Sequence, residues 1–254
     1  MSQIGTRQMA THQARLTKRR EIAEATLAFH LEKPVGFQYK AGQFVNLTLI
    51  QPSETDAEGN TRSFSMASAP YEEGLMFATR LRDTAFKRVL KGMPLGTQVK
   101  IQGPFGNLTL HPDAARPAVF LTGGIGITPF RSIILDVTRN KLPHCISLFY
   151  SNRRPEDAAF LEELLEIETQ HPAYKLVATM TQIERSKQCW KGKTGYISRE
   201  MLAESVGDLS ASIYYLAGPP SMVSALRKTL DDVGIKAADI RIEEFEGYRR
   251  LRTI

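Results

Sequence analysis

Cysteine is scarce in this sequence. Two occur among 254 residues, Cys145 and Cys189. One falls in an apolar stretch, Cys145-Ile146-Ser147-Leu148-Phe149-Tyr150, and the other in a polar loop. Two thiols so placed make neither a disulfide framework nor a zinc site, and no metal site is expected. They also cannot supply the four thiolates of an iron–sulfur cluster, so work needing such a cluster belongs to another chain. Long apolar runs are missing too: none approaches the ~20 residues that span a bilayer. The first twenty residues are polar and basic and lack the apolar core of a secretory signal. Their arginines suit a transit peptide, but a strand pattern follows too soon for one, and the expectation is a cytoplasmic protein. Internal repeats and low-complexity segments are absent, and so is any nucleic-acid-binding motif.

What is present is a chain long enough for two ordinary domains. Its 42% hydrophobic and 24% charged content is that of a soluble globular protein. The formal net charge is +6 and the pI about 9.3. A basic surface favours acidic partners such as nucleotides, nucleic acids and acidic proteins. The basic runs Lys18-Arg19-Arg20 and Arg249-Arg250-Leu251-Arg252 are short. A solvated charged face accounts for them, and no nucleic-acid partner is expected.

Residues 1–14 read as a loose tail. From Arg15 to about Asp113 short strand patterns alternate with turn residues. The candidates are Ala25–Leu31, Phe44–Ile50, Arg62–Met66, Leu75–Leu81, Gln98–Gln102 and Leu108–Leu110, with one short helix at Thr84–Leu90. Close-spaced strands without a long helix predict a small antiparallel barrel or sandwich over 15–113. Beyond Pro112–Pro117 the pattern changes. Strands at Ala118–Leu121, Cys145–Tyr150, Tyr174–Met180, Ile213–Leu216 and Ile240–Glu243 alternate with helices at Pro129–Arg139, Glu156–Glu168, Ser198–Glu204 and Ser221–Val233. Gly234 stands where a helix-ending glycine belongs. This alternation predicts an α/β domain over 114–254, built on a doubly wound parallel sheet.

The second region is organised around Leu121-Thr122-Gly123-Gly124-Ile125-Gly126-Ile127-Thr128-Pro129-Phe130. It joins a buried strand to an amphipathic helix. Glycines let the backbone turn sharply and approach a pyrophosphate, and the helix start offers unpaired N–H groups to an anion. Pro129 suits the first helical turn. In such sheets ligands bind beyond the carboxyl ends of the strands. After the second strand comes Ser151-Asn152-Arg153-Arg154. Arginine there can receive a 2′-phosphate, which tilts the expected cofactor toward NADPH over NADH, although arginines before a helix are also common surface residues. After the fourth strand comes Ala217-Gly218-Pro219-Pro220-Ser221-Met222, a stiff turn at a helix start that also reads as a rigid loop. In the first region Arg62-Ser63-Phe64-Ser65-Met66-Ala67-Ser68 collects an arginine, an aromatic and three hydroxyls. The turn Thr84-Ala85-Phe86-Lys87 nearby offers another helix start to a phosphate.

Four motifs in series resemble the ferredoxin–NADP reductase superfamily, over roughly Gln13 to Tyr248. Arg62-Ser63-Phe64-Ser65 is similar to its Arg-x-Tyr-Ser flavin motif and Gly103-Pro104-Phe105-Gly106 to its barrel-closing turn. Thr122 to Pro129 resembles its nicotinamide-pyrophosphate loop, and Ala217-Gly218-Pro219-Pro220 its Cys-Gly-Pro-Pro loop. The resemblance implies an N-terminal antiparallel FAD-binding barrel followed by an NAD(P)-binding α/β domain. It implies that Arg62 neutralises the FAD pyrophosphate, that Phe64 packs on the flavin, and that Ser65 hydrogen-bonds near flavin N5. Ser63, Thr79, Thr84, Ala85, Phe86 and Lys87 would complete the FAD site. Thr122, Gly123, Gly124, Gly126, Thr128, Pro129, Arg153, Gly218, Pro219 and Met222 would hold the nicotinamide nucleotide. Glu243 and Phe245 would border the flavin's other face and join Ser65 in catalysis.

Three positions depart from the family pattern. Phe64 replaces the tyrosine, removing one hydrogen bond worth ~1 kcal/mol. Ala217 replaces the cysteine. Asp83-Thr84-Ala85-Phe86-Lys87 replaces Gly-Gly-x-x-Ser, so Lys87 brings a charge in place of a hydroxyl, and Asp83 must point away from a pyrophosphate. The implied activity is hydride transfer from NAD(P)H to FAD, then electron transfer to a separate acidic acceptor such as a ferredoxin or flavodoxin. A free-flavin reductase and a non-catalytic nucleotide-sensing or electron-transfer subunit are the alternatives. The oligomeric state is left open.

Overall fold

A computed structural model describes residues 11–245. The expected tail up to residue 10 and the basic run Arg249-Arg250-Leu251-Arg252 lie outside the described residues. The first half forms one antiparallel sheet from β1 (Thr11–Ala23), β2 (Thr26–Glu32), β3 (Phe44–Leu49), β4 (Thr61–Ser65), β5 (Gly74–Arg80) and β6 (Gln98–Phe105). The strand order is β4-β3-β6-β1-β2-β5. The sheet curls because β4 runs on past its end: the amides of Ala67 and Ser68 donate to the Met76 carbonyl at 2.7 and 3.2 Å. Alternation follows the pleat, with Val45, Leu47 and Leu49 inward and Phe44, Asn46 and Thr48 half-buried. The inward set, with Phe29, Phe77, Val99 and Ile101, forms the barrel core, which Phe86 and Leu90 of helix α1 (Ala85–Gly92) close at one end.

The second half is a parallel sheet of β7 (Ala118–Gly123), β8 (Ile146–Asn152), β9 (Tyr174–Met180), β10 (Lys193–Thr194), β11 (Ile213–Gly218) and β12 (Ile240–Glu244). Its order is β10-β9-β8-β7-β11-β12. Helices α2 (Ile127–Asn140), α3 (Leu161–Gln170), α4 (Arg199–Val206) and α5 (Pro220–Asp232) complete the α/β domain. β7 and β11 are buried along their whole length, as expected of strands covered on both faces. The chain first winds outward from β7 to β10 and then returns to β11 and β12 on the other side. The order therefore reverses beside β7, the position where ligands enter such sheets.

The structure departs from the sequence expectations at several places, and β1 and β10 were not expected as strands. Thr11–Ala14, placed in the tail, belong to β1 and pair with Val99–Gln102 of β6. The rest of β1 pairs with β2. Leu108–Leu110 is not a strand. It crosses between the halves, and the Leu108 carbonyl lies so close to Gly42 that a Cβ there would sit 2.1 Å away. The helix expected from Glu156 starts at Leu161, because Pro155–Asp157 form a single 3-10 turn and Phe160 takes a left-handed φ of 61°. Cys145 lies one residue before β8 and is exposed.

An apolar cluster joins the halves. Ala28, Ala41, Ala67, Met76 and Leu108 from the first side share it with Ile127, Phe130 and Ile133 from the second. Beside it the buried Arg131 of α2 donates two bonds to the Glu163 carboxylate, at 2.7 and 2.6 Å, and one to the Ala67 carbonyl at 2.6 Å. Ser132 donates to the Ser68 carbonyl at 2.6 Å. Among the described residues no helix is long and apolar enough to cross a membrane.

Candidate functional site

The carboxyl ends of β7, β11 and β12 point at the end of β4. Glu243 of β12 stands beside Ala217 of β11, which stands beside Thr122 of β7. Across the seam the Ser65 hydroxyl donates a short hydrogen bond to the Glu243 carboxylate. Desolvation raises the Glu243 pKa above the ordinary carboxylate value, and the bond from Ser65 only partly offsets it. Two residues far apart in the sequence therefore form one hydrogen-bonded pair. The Phe245 amide donates to the Gly218 carbonyl at 3.1 Å and fixes the chain beyond β12 over the same region.

A cleft of about 570 Å³ opens on the other side of Glu243, between Phe44, Gly106, Asn107, Leu108, Arg241 and Ile242. That volume is in the range of small-molecule sites. Phe44 is the register partner of Ser65, so the cleft adjoins the seam. Phe64 and the glycine turn do not line it.

The glycine turns are packed more tightly than spacing alone implies. A Cβ on Gly126 would lie 2.3 Å from the Ala217 carbonyl oxygen, and one on Gly123 would lie 2.5 Å from the Met222 sulfur. Gly218 has a φ of 150°, and a Cβ there would meet Met222 at 2.8 Å. Met222 thus lies across both turns, and Pro219 and Pro220 lead into α5 beside it. Gly124–Gly126 form a 3-10 turn that runs into α2, with Thr128 and Pro129 buried in its first turn. The Thr128 hydroxyl donates to the Ile125 carbonyl at 3.1 Å, and the Thr122 hydroxyl donates to the Ala217 carbonyl at 2.8 Å. Both threonines brace the turn internally.

The barrel side is built from charge. Arg62 lies over the Phe86 ring at 5.1 Å and is paired with Asp56 at 2.8 Å and Glu58 at 3.1 Å. The Ser63 hydroxyl donates to Asn46 at 2.7 Å. The Phe64 ring packs inward on Phe77 and Phe86, with centroids at 4.8 and 6.0 Å, which leaves 9% of the residue open to a ligand. Thr79 and Ala85 are buried beside it. Thr84 caps α1 by accepting from the Lys87 amide. Lys87 folds back to donate to the Arg80 carbonyl at 2.9 Å. Burial, then the charges of Arg82, Arg62 and Arg80, lower its pKa to about 8. A half-buried ammonium crowded by three guanidinium groups favours an anion, so this donor set fits a phosphate-bearing cofactor. Asp83 points away and pairs with Arg88.

Arg153 stands apart from both turns. It is 53% exposed and lies 3.7 Å from Asp157. Asp157 is 4% exposed and also holds Arg154 at 2.9 Å and Arg80 at 3.6 Å. The structure thus groups Ser65, Glu243, Ala217 and the two glycine turns at one seam. It sets the Arg62–Lys87 cluster at the barrel end of β4, and Arg153 directly follows the carboxyl end of β8. Arg80 and Arg82 escaped the sequence reading. Their spacing of two at the end of β5, matching the pleat, was the available signal.

Residues 120–228 match the oxidoreductase NAD-binding domain family. Reductase component 2 of terephthalate 1,2-dioxygenase from Comamonas sp is 26% identical over 220 residues, spanning 85% of this chain and 62% of that protein. The reductase component of phenol 2-monooxygenase from Pseudomonas sp. (strain CF600) is 29% identical over 222 residues, spanning 86% and 60%. The chain covers about three fifths of the length of these curated relatives. Among solved structures, a ferredoxin NADP+ reductase from Neisseria gonorrhoeae with bound FAD and NADP superposes with a TM-score of 0.77 at 21% identity, covering 92% of this chain and 98% of that one. The Amycolatopsis cytochrome P450 reductase GcoB gives 0.79 at 23%, covering 93% and 71%.

Proposed function

We propose that the chain, which is similar to FAD- and NAD(P)-binding oxidoreductases of the ferredoxin–NADP reductase type, is an NAD(P)H-dependent flavoprotein reductase serving a separate acceptor protein. The observation that carries this reading is the hydrogen bond from Ser65 to Glu243 at the point where the barrel meets the switch point of the sheet. A hydrogen-bonded polar pair there suits the meeting of a flavin on the barrel with a nicotinamide on the sheet. A bound flavin supplies the chemistry of accepting a hydride and passing electrons onward. The chain's own part is to bind, orient and exclude water, since hydride transfer needs positioning above all.

Arg62 and Lys87 hold the flavin phosphates in this reading. Ser65 would turn its one hydroxyl proton from Glu243 toward the ring nitrogen that takes the hydride, and a protonated Glu243 would then donate to Ser65 Oγ. Gly123, Gly124 and Gly126 accept the nicotinamide nucleotide's pyrophosphate at the start of α2, and Gly218 and Pro219 flank its nicotinamide. Phe245 covers the seam from the β12 side. The acceptor is an acidic protein of the ferredoxin or flavodoxin type, matched to the net charge of +6.

Anaerobic titration of the purified protein with NADH and with NADPH, following the flavin absorbance, tests the proposal. Bleaching by either one supports it, and a flavin that stays oxidised with both overturns it. The ratio of the two titrations reads whether Arg153 reaches a 2′-phosphate.

A further inference from the structure

We propose that Asp56 is an internal stand-in for the flavin phosphate: its carboxylate sits on Arg62 beside the start of α1, and flavin loads by displacing it. This rests on the reading that a flavin occupies the barrel. The hairpin between β3 and β4 folds back over its own arginine. Arg62 Nη2 binds Asp56 at 2.8 Å and Glu58 at 3.1 Å. Arg62 Nη1 donates to the carbonyls of Glu58, Gly59 and Thr61 at 2.9, 3.0 and 2.8 Å. The start of α1 adjoins this pair, since the same guanidinium lies over the Phe86 ring at 5.1 Å. The Glu58 amide adds a bond to Asp56 Oδ1 at 3.0 Å and holds the carboxylate in place.

A guanidinium and a helix-start amide are the donors a phosphate oxygen takes at such a site. Here the Asp56 carboxylate already takes the guanidinium. Two carboxylates and three carbonyls occupy both terminal nitrogens of the guanidinium. A phosphate reaching Arg62 therefore competes with Asp56 for the same hydrogen bonds. The cations Lys87, Arg80 and Arg82 nearby favour the exchange toward the more highly charged anion. Asp56 thus sets how tightly flavin is held, and residues 51–60 move when it binds.

The test compares the full chain, stripped of flavin, with its D56N and R62A variants. FAD and FMN affinities are read by quenching of flavin fluorescence. Loop release is read by cleavage with a Glu-specific protease after Glu54 and Glu58. D56N is expected to bind FAD about ten-fold more tightly than the wild type, and R62A more weakly. FAD is expected to speed cleavage of the wild type at these sites, and D56N to be cut quickly without FAD. Wild-type binding of FAD with D56N equal or weaker overturns the Asp56 inference and leaves the reductase reading standing. FAD held equally well by R62A overturns the inference too, because the phosphate then lies elsewhere. No flavin binding by the wild type or D56N overturns both.

Discussion

In the sheet domain the turn at Gly123–Gly126 is made of backbone. Its fit depends on carbonyls, amides and one methionine, and no ionic side chain takes part. In the barrel the corresponding place is made of side chains: Arg62, Lys87, Arg80 and Arg82, with Asp56 and Glu58 set against them. A backbone cradle depends on shape and is indifferent to pH and salt. A side-chain cradle is adjustable: its strength follows protonation, ionic strength and whichever acid sits nearby. The two halves of one site should therefore fail in different ways.

The strongest way to break this comparison is steric. Gly126→Ala would put a methyl 2.3 Å from the Ala217 carbonyl, where both partners are backbone. A loss of about 3 kcal/mol or more in urea unfolding is expected. Gly92→Ala, at the end of α1, meets open space and should stay near neutral. Equal effects at the two glycines would mean that the sheet turn is not shape-limited.

Next comes charge. Arg62→Ala should weaken FAD binding on the order of 100-fold while the barrel melts close to the wild-type temperature. A variant that keeps its flavin would move the phosphate site away from β4.

At the seam, Ser65→Ala should slow hydride transfer roughly ten-fold in stopped-flow measurements without loss of flavin. Glu243 binds its proton more tightly in the folded protein than free in water. The protonated form is therefore full below the ordinary carboxylate range and is lost as pH rises through the raised value. The transfer rate should fall over that rise, and Glu243→Gln should flatten it. A wild-type profile that is already flat would remove Glu243 from the proton path.

The smallest effect is expected at Lys87. Folding lowers its pKa from 10.5 to about 8, so the stability it contributes in alkali is lost as pH falls through about 8. A phosphate restores the charged form and takes up a proton. FAD affinity should tighten a few-fold as pH falls through about 8, and Lys87→Met should abolish that slope. A slope that survives in the variant would assign the titration to another group.

The same contrast decides what the sequence revealed. The parallel sheet was legible because β7 and β11 are buried on both faces and read as continuous apolar runs. β9 was found at its observed limits. β1 was hidden because Ala14 and Leu16 are its buried residues, while Arg15, Lys18, Arg19 and Arg20 are exposed and mask the alternation. The start of α3 was misplaced because Asp157 is drawn into Arg80 and Arg154, which stops a helix from forming there. Of the site, the glycine turns and the Arg62–Ser65 motif were visible because their residues are consecutive. Arg80 and Asp56 were not, because their roles arise from a curled sheet and a folded-back hairpin that local spacing does not encode.

The apolar cluster running from Ala28 and Met76 to Phe130 and Ile133 makes the boundary near residue 114 a topological one only. Severed there, each fragment would carry a raw, greasy wound. In a calorimeter the intact chain should absorb heat in a single peak. The reach between nicotinamide and flavin would then be set once, when the polypeptide is made, with no hinge left to adjust it at each turnover.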